Sequence, residues 1–262
     1  GAAAIAQAAD TVRIAVPSPY GGDAAAYGEN VKAGVEIFVD ELNAAGGING
    51  VMIEPVYLDE QCVAKEAATV SQKIVSDESI VAIVGHLCSS AHLAALPNYV
   101  DGGIAAVSPT ATNPSISDNN KDRDGKAWSF RVVYRDDFQG AFLAEYAKNV
   151  LGLERVAVFY QNDDYGIGLK DAFVEKAKEI GLELVGEEAY VRGTTTDFNP
   201  QLTALKEANP QALFISGYYN EGALIASQAA QLGMDVVKLG GEGLDNPDYI
   251  TLGGEAAENT YI

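Results

Sequence analysis

Residues 85–90 read GHLCSS, directly after the apolar run IVAIV, and His92 stands one helical turn beyond Cys88. A thiol beside an imidazole is the pairing of a nucleophile with its base. A nucleophilic serine at a strand-to-helix turn calls instead for GxSxG, which the chain lacks, and the chain has only two histidines, His86 and His92. No catalytic residue is expected here, and both histidines read as structural. A second candidate is the acidic loop NKDRDG. Asn120, Asp122, Asp124 and Gly125 match the first half of a calcium loop, but the twelfth position is Arg131, where a bidentate glutamate is required. A solvated surface loop is the expectation. The two cysteines, Cys62 and Cys88, lie 26 positions apart, with no CxxC or histidine pair at metal-ligand spacing, so no metal is expected. In an exported protein they would pair, adding roughly 3 kcal/mol; in a cytosolic one they would be buried thiols. GxxxxGK[ST] is absent and no GxGxxG follows the first strand, so no nucleotide cofactor is expected.

What remains is recognition without reaction. The stretches SPYGGDAAAYG, GHLCSS, SPTATNPS, QNDDYG, SGYYNEG and GGEGLDNP are rich in glycine, hydroxyls and tyrosine. A free amino acid offers a carboxylate, which hydroxyls and helix N-termini suit, and an ammonium, which a carboxylate and carbonyls suit. Its side chain is suited by aromatic rings. Ser89 and Thr112, then Glu242, then Tyr27, Tyr165 and Tyr218 are of these types.

Such loops need strand ends to carry them. Strand patterns begin at Thr11, Val51, Ile80, Ile104, Arg155, Leu182, Ala212 and Val236. Helical patterns lie between. Val31, Val35, Phe38, Val39 and Leu42 share one helical face ahead of Gly46 and Gly47; Phe138, Phe142, Tyr146 and Val150 repeat at i+4; and Leu169, Phe173, Ala177 and Ile180 do likewise ahead of Gly181. This alternation predicts an α/β fold of parallel sheets covered by helices. The rhythm breaks at the polar stretch between Pro114 and Arg131, which divides the chain into lobes at 11–130 and 131–258. Residues 1–10, GAAAIAQAAD, read as a signal remnant or scar, because AQA resembles the end of a secretory signal.

Composition narrows the partners. Among 262 residues, 17 basic against 37 acidic side chains give a formal charge of −20, which repels phosphate backbones, so no nucleic acid is expected. No apolar run approaches the ~20 residues that cross a bilayer.

GHLCSS followed by SPTATNP, with AYGENVKAGVEIFVDELNAAGGING early and NDDYGIGL in the second half, resembles the periplasmic leucine/isoleucine/valine-binding proteins of ABC importers, from about Thr11 to Ile262. The resemblance implies a type I periplasmic binding protein: two Rossmann-like lobes with parallel sheets, joined by a hinge and closing on a ligand in the cleft. It implies a Cys62–Cys88 disulfide that fixes the loop carrying Ser89. It also implies that Ser89 and the Thr112 backbone N–H, aided by Tyr218, take the ligand carboxylate. The Thr110 carbonyl, the Thr112 hydroxyl and Glu242 would take the ammonium, leaving the Thr110 side chain little constrained. Tyr27, Leu87, Ala111 and Tyr165 would border the ligand side chain. The implied protein is a periplasmic monomer that carries an aliphatic amino acid to ABC permease subunits in the membrane, with no cofactor. Members of that family continue for several dozen residues past TYI. The C-terminal part is therefore expected to be missing, with 259–262 opening a second hinge crossover. Two rivals accompany this reading: a related module or sensor for an amide, urea or aromatic acid, and an α/β enzyme.

Overall fold

The computed structural model describes residues 10–262, so nine of the ten residues read as a signal remnant lie outside the described residues. The first half runs β1 (Thr11–Ser18), α1 (Ala25–Ala44), β2 (Met52–Asp59), α2 (Ala64–Ser76), β3 (Ile80–Val84), α3 (Ser89–Gly102), β4 (Ala106–Ser108), α4 (Ser115–Asp118) and β5 (Ser129–Arg131). The second runs α5 (Asp136–Asn149), β6 (Arg155–Gln161), α6 (Asp164–Ile180), β7 (Glu183–Tyr190), α7 (Asn199–Glu207), β8 (Ala212–Ser216), α8 (Tyr219–Gln231), β9 (Val237–Gly240), α9 (Pro247–Gly253) and β10 (Thr260–Tyr261). All eight strands read from the sequence are present. β5 and β10, three and two residues long, are the additions; both are too short to carry a period of two.

The chain forms two compact units. One comprises residues to Ala111 with Ser115–Val133, and the other Thr112–Pro114 with Tyr134–Ile262. The expected boundary at 130/131 falls inside β5, whose Arg131 pairs with Ser108 of β4, which holds that residue in the first sheet. Residues 260–261, read as the start of a crossover, pair in parallel with β9 in the second sheet.

Within the two sheets every strand pair is parallel, and both share one topology: β2-β1-β3-β4-β5 in the first unit and β7-β6-β8-β9-β10 in the second. In such a sheet each connection crosses back, so helices cover both faces and the central strands are apolar on both sides. β8, ALFIS, is buried at every residue. The first unit's core joins Ile74, Ile83, Tyr99 and Ala106; in the second, the Phe173 and Phe214 rings stack at 4.2 Å.

Helix ends follow local chemistry. The Asp163 side chain caps α6 by accepting from Gly166 N–H at 2.9 Å, and Gly181 ends it at φ +70°, a left-handed conformation that costs glycine nothing. The i+4 patterns give helices as read, but two of the three faces do not point into the core. Phe138 and Phe142 of α5 are 63% and 55% exposed, forming with Tyr134, Tyr146 and Tyr261 a row of neighbouring rings on the surface. Phe38 of α1 is also exposed, and of its proposed face only Val39 is buried. On α5 the buried side is instead the small-residue side, Gly140, Ala144 and Ala147, where a Cβ at Gly140 would meet Ala172 at 2.7 Å. Close approach to α6, not aromatic bulk, fixes how α5 faces.

Cys62 and Cys88 are joined in a disulfide, with Cα atoms 5.5 Å apart. The bridge ties the turn after β2 to the residue capping α3. Alkylation without reductant is expected to find no free thiol by mass spectrometry. Replacing both cysteines with serine is expected to lower the unfolding free energy by about 3 kcal/mol, read from the urea midpoint; an unchanged midpoint would show that the bridge adds no stability.

Candidate functional site

In both units the loops singled out above emerge from the carboxyl edge of the sheet, and the strand order reverses at β1/β3 and at β6/β8. Crevices at such reversals are where open parallel sheets hold ligands.

In the first unit, Tyr27 lies on the first turn of α1, following β1, and is half-buried. Leu87 and Ser89 follow β3, and Thr110 and Ala111 follow β4; all but Thr110 are almost fully buried. Ser89 is the first residue of α3, a 14-residue helix with no acidic side chain in its first turn, so the positive end of its dipole faces the loop uncompensated by its own sequence. Ser108, which the sequence reading passed over, knits the two loops together. Its buried hydroxyl donates to the His86 carbonyl at 2.6 Å and accepts from the N–H groups of Ala111 at 2.8 Å and Thr110 at 3.3 Å. The Thr110 hydroxyl donates to the Leu87 carbonyl at 2.8 Å, so this side chain, expected to be little constrained, is a second tie between the loops. Arg131, weighed only as a calcium-loop position, donates to the Ala111 carbonyl at 3.0 Å and to Ser117.

The nucleophile reading of GHLCSS fails on geometry. The Cys88 sulfur is bonded to Cys62, and His92 Nε2 lies 2.6 Å from the Ser129 hydroxyl. Burial, and then the neighbouring His86, push the His92 pKa down to about 3, so its ring stays neutral. His86 Nε2 lies 2.7 Å from the Tyr99 hydroxyl inside the core, and its Nδ1 is 3.8 Å from the equally buried Glu60 carboxylate. The acidic loop is likewise occupied by its own chain. The Asp122 carboxylate accepts from Asp124 N–H, Lys126 N–H and Trp128 Nε1, each within 2.9 Å, and Lys126 stands 3.7 Å from the Trp128 ring centre. No group of three or more His, Cys, Asp or Glu suited to a metal occurs among the described residues.

The second unit gathers Thr112, Tyr165, Tyr218 and Glu242. Tyr165 after β6 and Tyr218 after β8 stack with centroids 4.9 Å apart and planes 18° apart. Arg192 lies over the Tyr218 ring at 5.8 Å. The Tyr165 hydroxyl accepts from Gly243 N–H at 3.0 Å, holding the turn that carries Glu242. Glycines flank that residue for steric reasons: a Cβ at Gly241 would lie 2.5 Å from Leu169 Cδ2 and 2.9 Å from Gln139 Oε1, and one at Gly243 would lie 2.5 Å from the Gly217 carbonyl. Thr112 Oγ1 donates to Glu242 Oε1 at 3.4 Å. Glu242 as a residue keeps some exposure, but its Oε2 is shut from solvent and has no hydrogen-bond partner. Burial pushes the carboxyl pKa up to about 7, opposed by its own N–H and by the nearby Tyr165 and Thr112 hydroxyls and Gln139 amide. A carboxyl held dry among neutral donors is poised for a cation.

A family model described as "Periplasmic binding protein" matches residues 11–262. The chain is 32% identical over 258 residues to the leucine-, isoleucine-, valine-, threonine- and alanine-binding protein of Pseudomonas aeruginosa, covering 98% of this chain and 67% of that protein. It is 31% identical to the Leu/Ile/Val/Thr-binding protein of Salmonella typhimurium, covering 97% and 68%. It thus spans about two thirds of the length of these curated relatives. Among solved structures, a leucine-binding protein of Thermotoga maritima matches with a TM-score of 0.86 and 36% identity, covering 94% of this chain and 67% of that one. A branched-chain amino acid transporter substrate-binding protein of Streptococcus pneumoniae, in complex with isoleucine, matches with a TM-score of 0.86 and 33% identity, covering 96% and 70%.

Ser108→Ala removes one hydroxyl that serves three backbone groups and leaves the His86 carbonyl and the Ala111 N–H unsatisfied. The expected cost is roughly 1–3 kcal/mol of stability by urea unfolding. A parental midpoint would mean that water replaces the hydroxyl.

Proposed function

Since the chain belongs to the periplasmic binding protein family, its described fold being the two parallel-sheet lobes of the type I members, we propose that it captures a small aliphatic amino acid, without turnover, for delivery to an ABC permease. The observation that carries this reading is the Glu242 carboxyl, held out of solvent with hydroxyl and amide donors around it and stacked tyrosines alongside. An uncompensated acid in that position costs stability unless a cation completes it. An amino acid ammonium does so.

In the proposed complex the carboxylate is taken by the Ser89 hydroxyl at the start of α3, the Thr112 N–H and Tyr218. The ammonium is taken by Glu242, the Thr112 hydroxyl and the Thr110 carbonyl. Tyr27, Leu87, Ala111 and Tyr165 border the side chain, giving a dry wall that favours Leu, Ile or Val over polar residues. The relatives support this choice, since those named above bind leucine, isoleucine or valine by their names. The protein works as a monomer outside the cytoplasm beside permease subunits. No helix among the described residues is long and apolar enough to cross a membrane.

Two tests follow. Ser89→Ala is expected to weaken leucine binding by roughly ten- to a hundredfold, the worth of one charge-assisted hydrogen bond; unchanged calorimetric affinity removes Ser89 from the site. Glu242→Gln keeps the shape but removes the charge. It is expected to cost leucine about 3 kcal/mol or more and to affect the des-amino analogue 4-methylpentanoate far less. Equal loss for both ligands would favour an amide or acid ligand instead.

A pH dependence also follows. The free carboxyl titrates at about 7, and an ammonium partner holds it ionised in the complex. Below pH 7 the proton therefore competes with the ligand. Leucine affinity is expected to fall about tenfold per pH unit from pH 7 downward, with proton release on binding, and to level off above 7. A flat profile between pH 5.5 and 8 would remove Glu242 from the ammonium contact.

A further inference from the structure

We propose that Glu60 is a positioning residue for the ligand loop of the first unit: its buried carboxylate sets the hydrogen of the His86 ring on Nδ1 and so fixes the residue from which Leu87 and Ser89 run. The part of the proposal that concerns ligand binding rests on the amino-acid reading above; the part that concerns the ring does not.

Glu60 follows β2 and His86 follows β3, and both side chains are fully buried. The Glu60 backbone is anchored from two sides, its N–H donating to the Ser18 carbonyl at 3.3 Å and its carbonyl accepting from Val63 N–H at 2.8 Å. Its carboxylate lies 3.8 Å from His86 Nδ1, an ion-pair distance rather than a hydrogen bond. Both carboxylate oxygens and Nδ1 are shut from solvent, and none has a hydrogen-bond partner among the described residues. Polar atoms so placed are costly unless they face an opposite partial charge. Here the carboxylate and Nδ1 face one another.

A neutral imidazole has one N–H and one bare nitrogen, and its partners decide which is which. Nε2 lies 2.7 Å from the Tyr99 hydroxyl. Burial, and then the Glu60 charge, raise the Tyr99 pKa above the ordinary tyrosine value, so that hydroxyl keeps its hydrogen. With the ring hydrogen on Nδ1, Tyr99 donates to Nε2 and the N–H turns to the carboxylate, so every group meets its complement. With it on Nε2, the Tyr99 hydrogen loses its acceptor and a bare nitrogen lone pair faces a carboxylate in a dry interior. The first arrangement wins on both counts. His92, whose ring stands edge-on with its centre 6.1 Å from that of His86, is neutral and brings no competing charge. The effect reaches the loop because residue 86 is gripped twice: its ring lies between Glu60 and Tyr99, and its carbonyl accepts from Ser108 at 2.6 Å. Leu87 comes next in the chain, and Ser89 opens α3.

Nitrogen NMR of the ligand-free parent protein at pH 7 reads the ring directly, because a hydrogen-bearing and a bare imidazole nitrogen differ widely in shift. His86 Nδ1 is expected to give the hydrogen-bearing signal, and a bare Nδ1 overturns the proposal. Glu60→Met then removes the carboxylate at similar volume. Should it not fold, Glu60→Gln, which removes only the charge, carries the test. In either variant the hydrogen is expected to shift toward Nε2. Calorimetric affinities for leucine and for 4-methylpentanoate should fall together by about tenfold, the worth of one lost hydrogen bond, since both ligands present a carboxylate to Ser89. A purely structural glutamate would lower the melting temperature but leave the ring hydrogen and both affinities unmoved, and that result overturns the proposal. So does a loss confined to leucine, which would place the effect at the ammonium instead of the loop. If the ring responds as expected but the parent protein binds neither ligand, Glu60 sets His86 and the amino-acid reading falls, taking the ligand half of the proposal with it.

Discussion

A parallel strand cannot be followed directly by its neighbour; the chain must cross back over a sheet face before the next strand begins. In each unit that constraint sends every strand's carboxyl end to the same edge and every connecting helix to the faces. Where the order reverses, beside β1 and β6, successive crossovers leave on opposite faces and their loops part. The loops that carry Tyr27, Leu87 and Ser89 in one unit, and Tyr165 and Tyr218 in the other, leave the sheets at those reversals. The apolar run IVAIV and the hydroxyl-rich GHLCSS are thus two halves of one device: the strand buries, and its end presents.

Presentation alone would leave the loops soft, and the first unit stiffens them with side-chain-to-backbone hydrogen bonds and a disulfide. Ser108 and Thr110 tie the β4 loop to the β3 loop, while the Cys62–Cys88 bridge and the Asp59 carboxylate anchor the turn after β2. Asp59 also accepts from the N–H groups of Tyr20 and Gly21, and so holds the loop after β1 at the same edge. Each hydrogen-bonded tie satisfies a backbone group, while the disulfide holds the turn covalently. The hydroxyls that look like ligand groups in the sequence therefore divide into two kinds: those of Ser108 and Thr110 hold the scaffold, whereas that of Thr112 faces Glu242.

Much of this was legible beforehand. The alternation of β-branched runs with helical periods gave the fold class and eight of the ten strands, because those strands are long enough to show their pattern. β5 and β10 were not, since three and two residues carry no periodicity. Direction was harder than type. The spacing of Phe138, Phe142 and Tyr146 made α5 a helix, yet the same spacing would serve a buried or an exposed face, and the glycine and alanine side won the interior because it lets α6 approach. Loop position and residue type put Tyr165, Tyr218 and Glu242 at strand ends of the second unit, and there the Tyr165 and Tyr218 rings stack while Glu242 follows β9. They could not find Ser108, whose tie to the His86 carbonyl joins atoms 22 residues apart in sequence.

In the proposed site, the second unit's electrostatics would set the selectivity. With a pKa near 7, the empty Glu242 carboxyl holds a proton about half the time in neutral water. Relative to a model carboxylate, the raised pKa is a destabilisation that grows as pH climbs from the ordinary carboxylate range to 7 and is complete above it. A cation arriving at the site recovers that loss, whereas a neutral or anionic guest does not. In the proposed complex, discrimination against ligands lacking an amino group would come from a penalty already present in the unliganded carboxyl. It needs no steric rejection, because the dry surroundings that make the carboxyl unhappy alone are what make its ammonium partner worth binding.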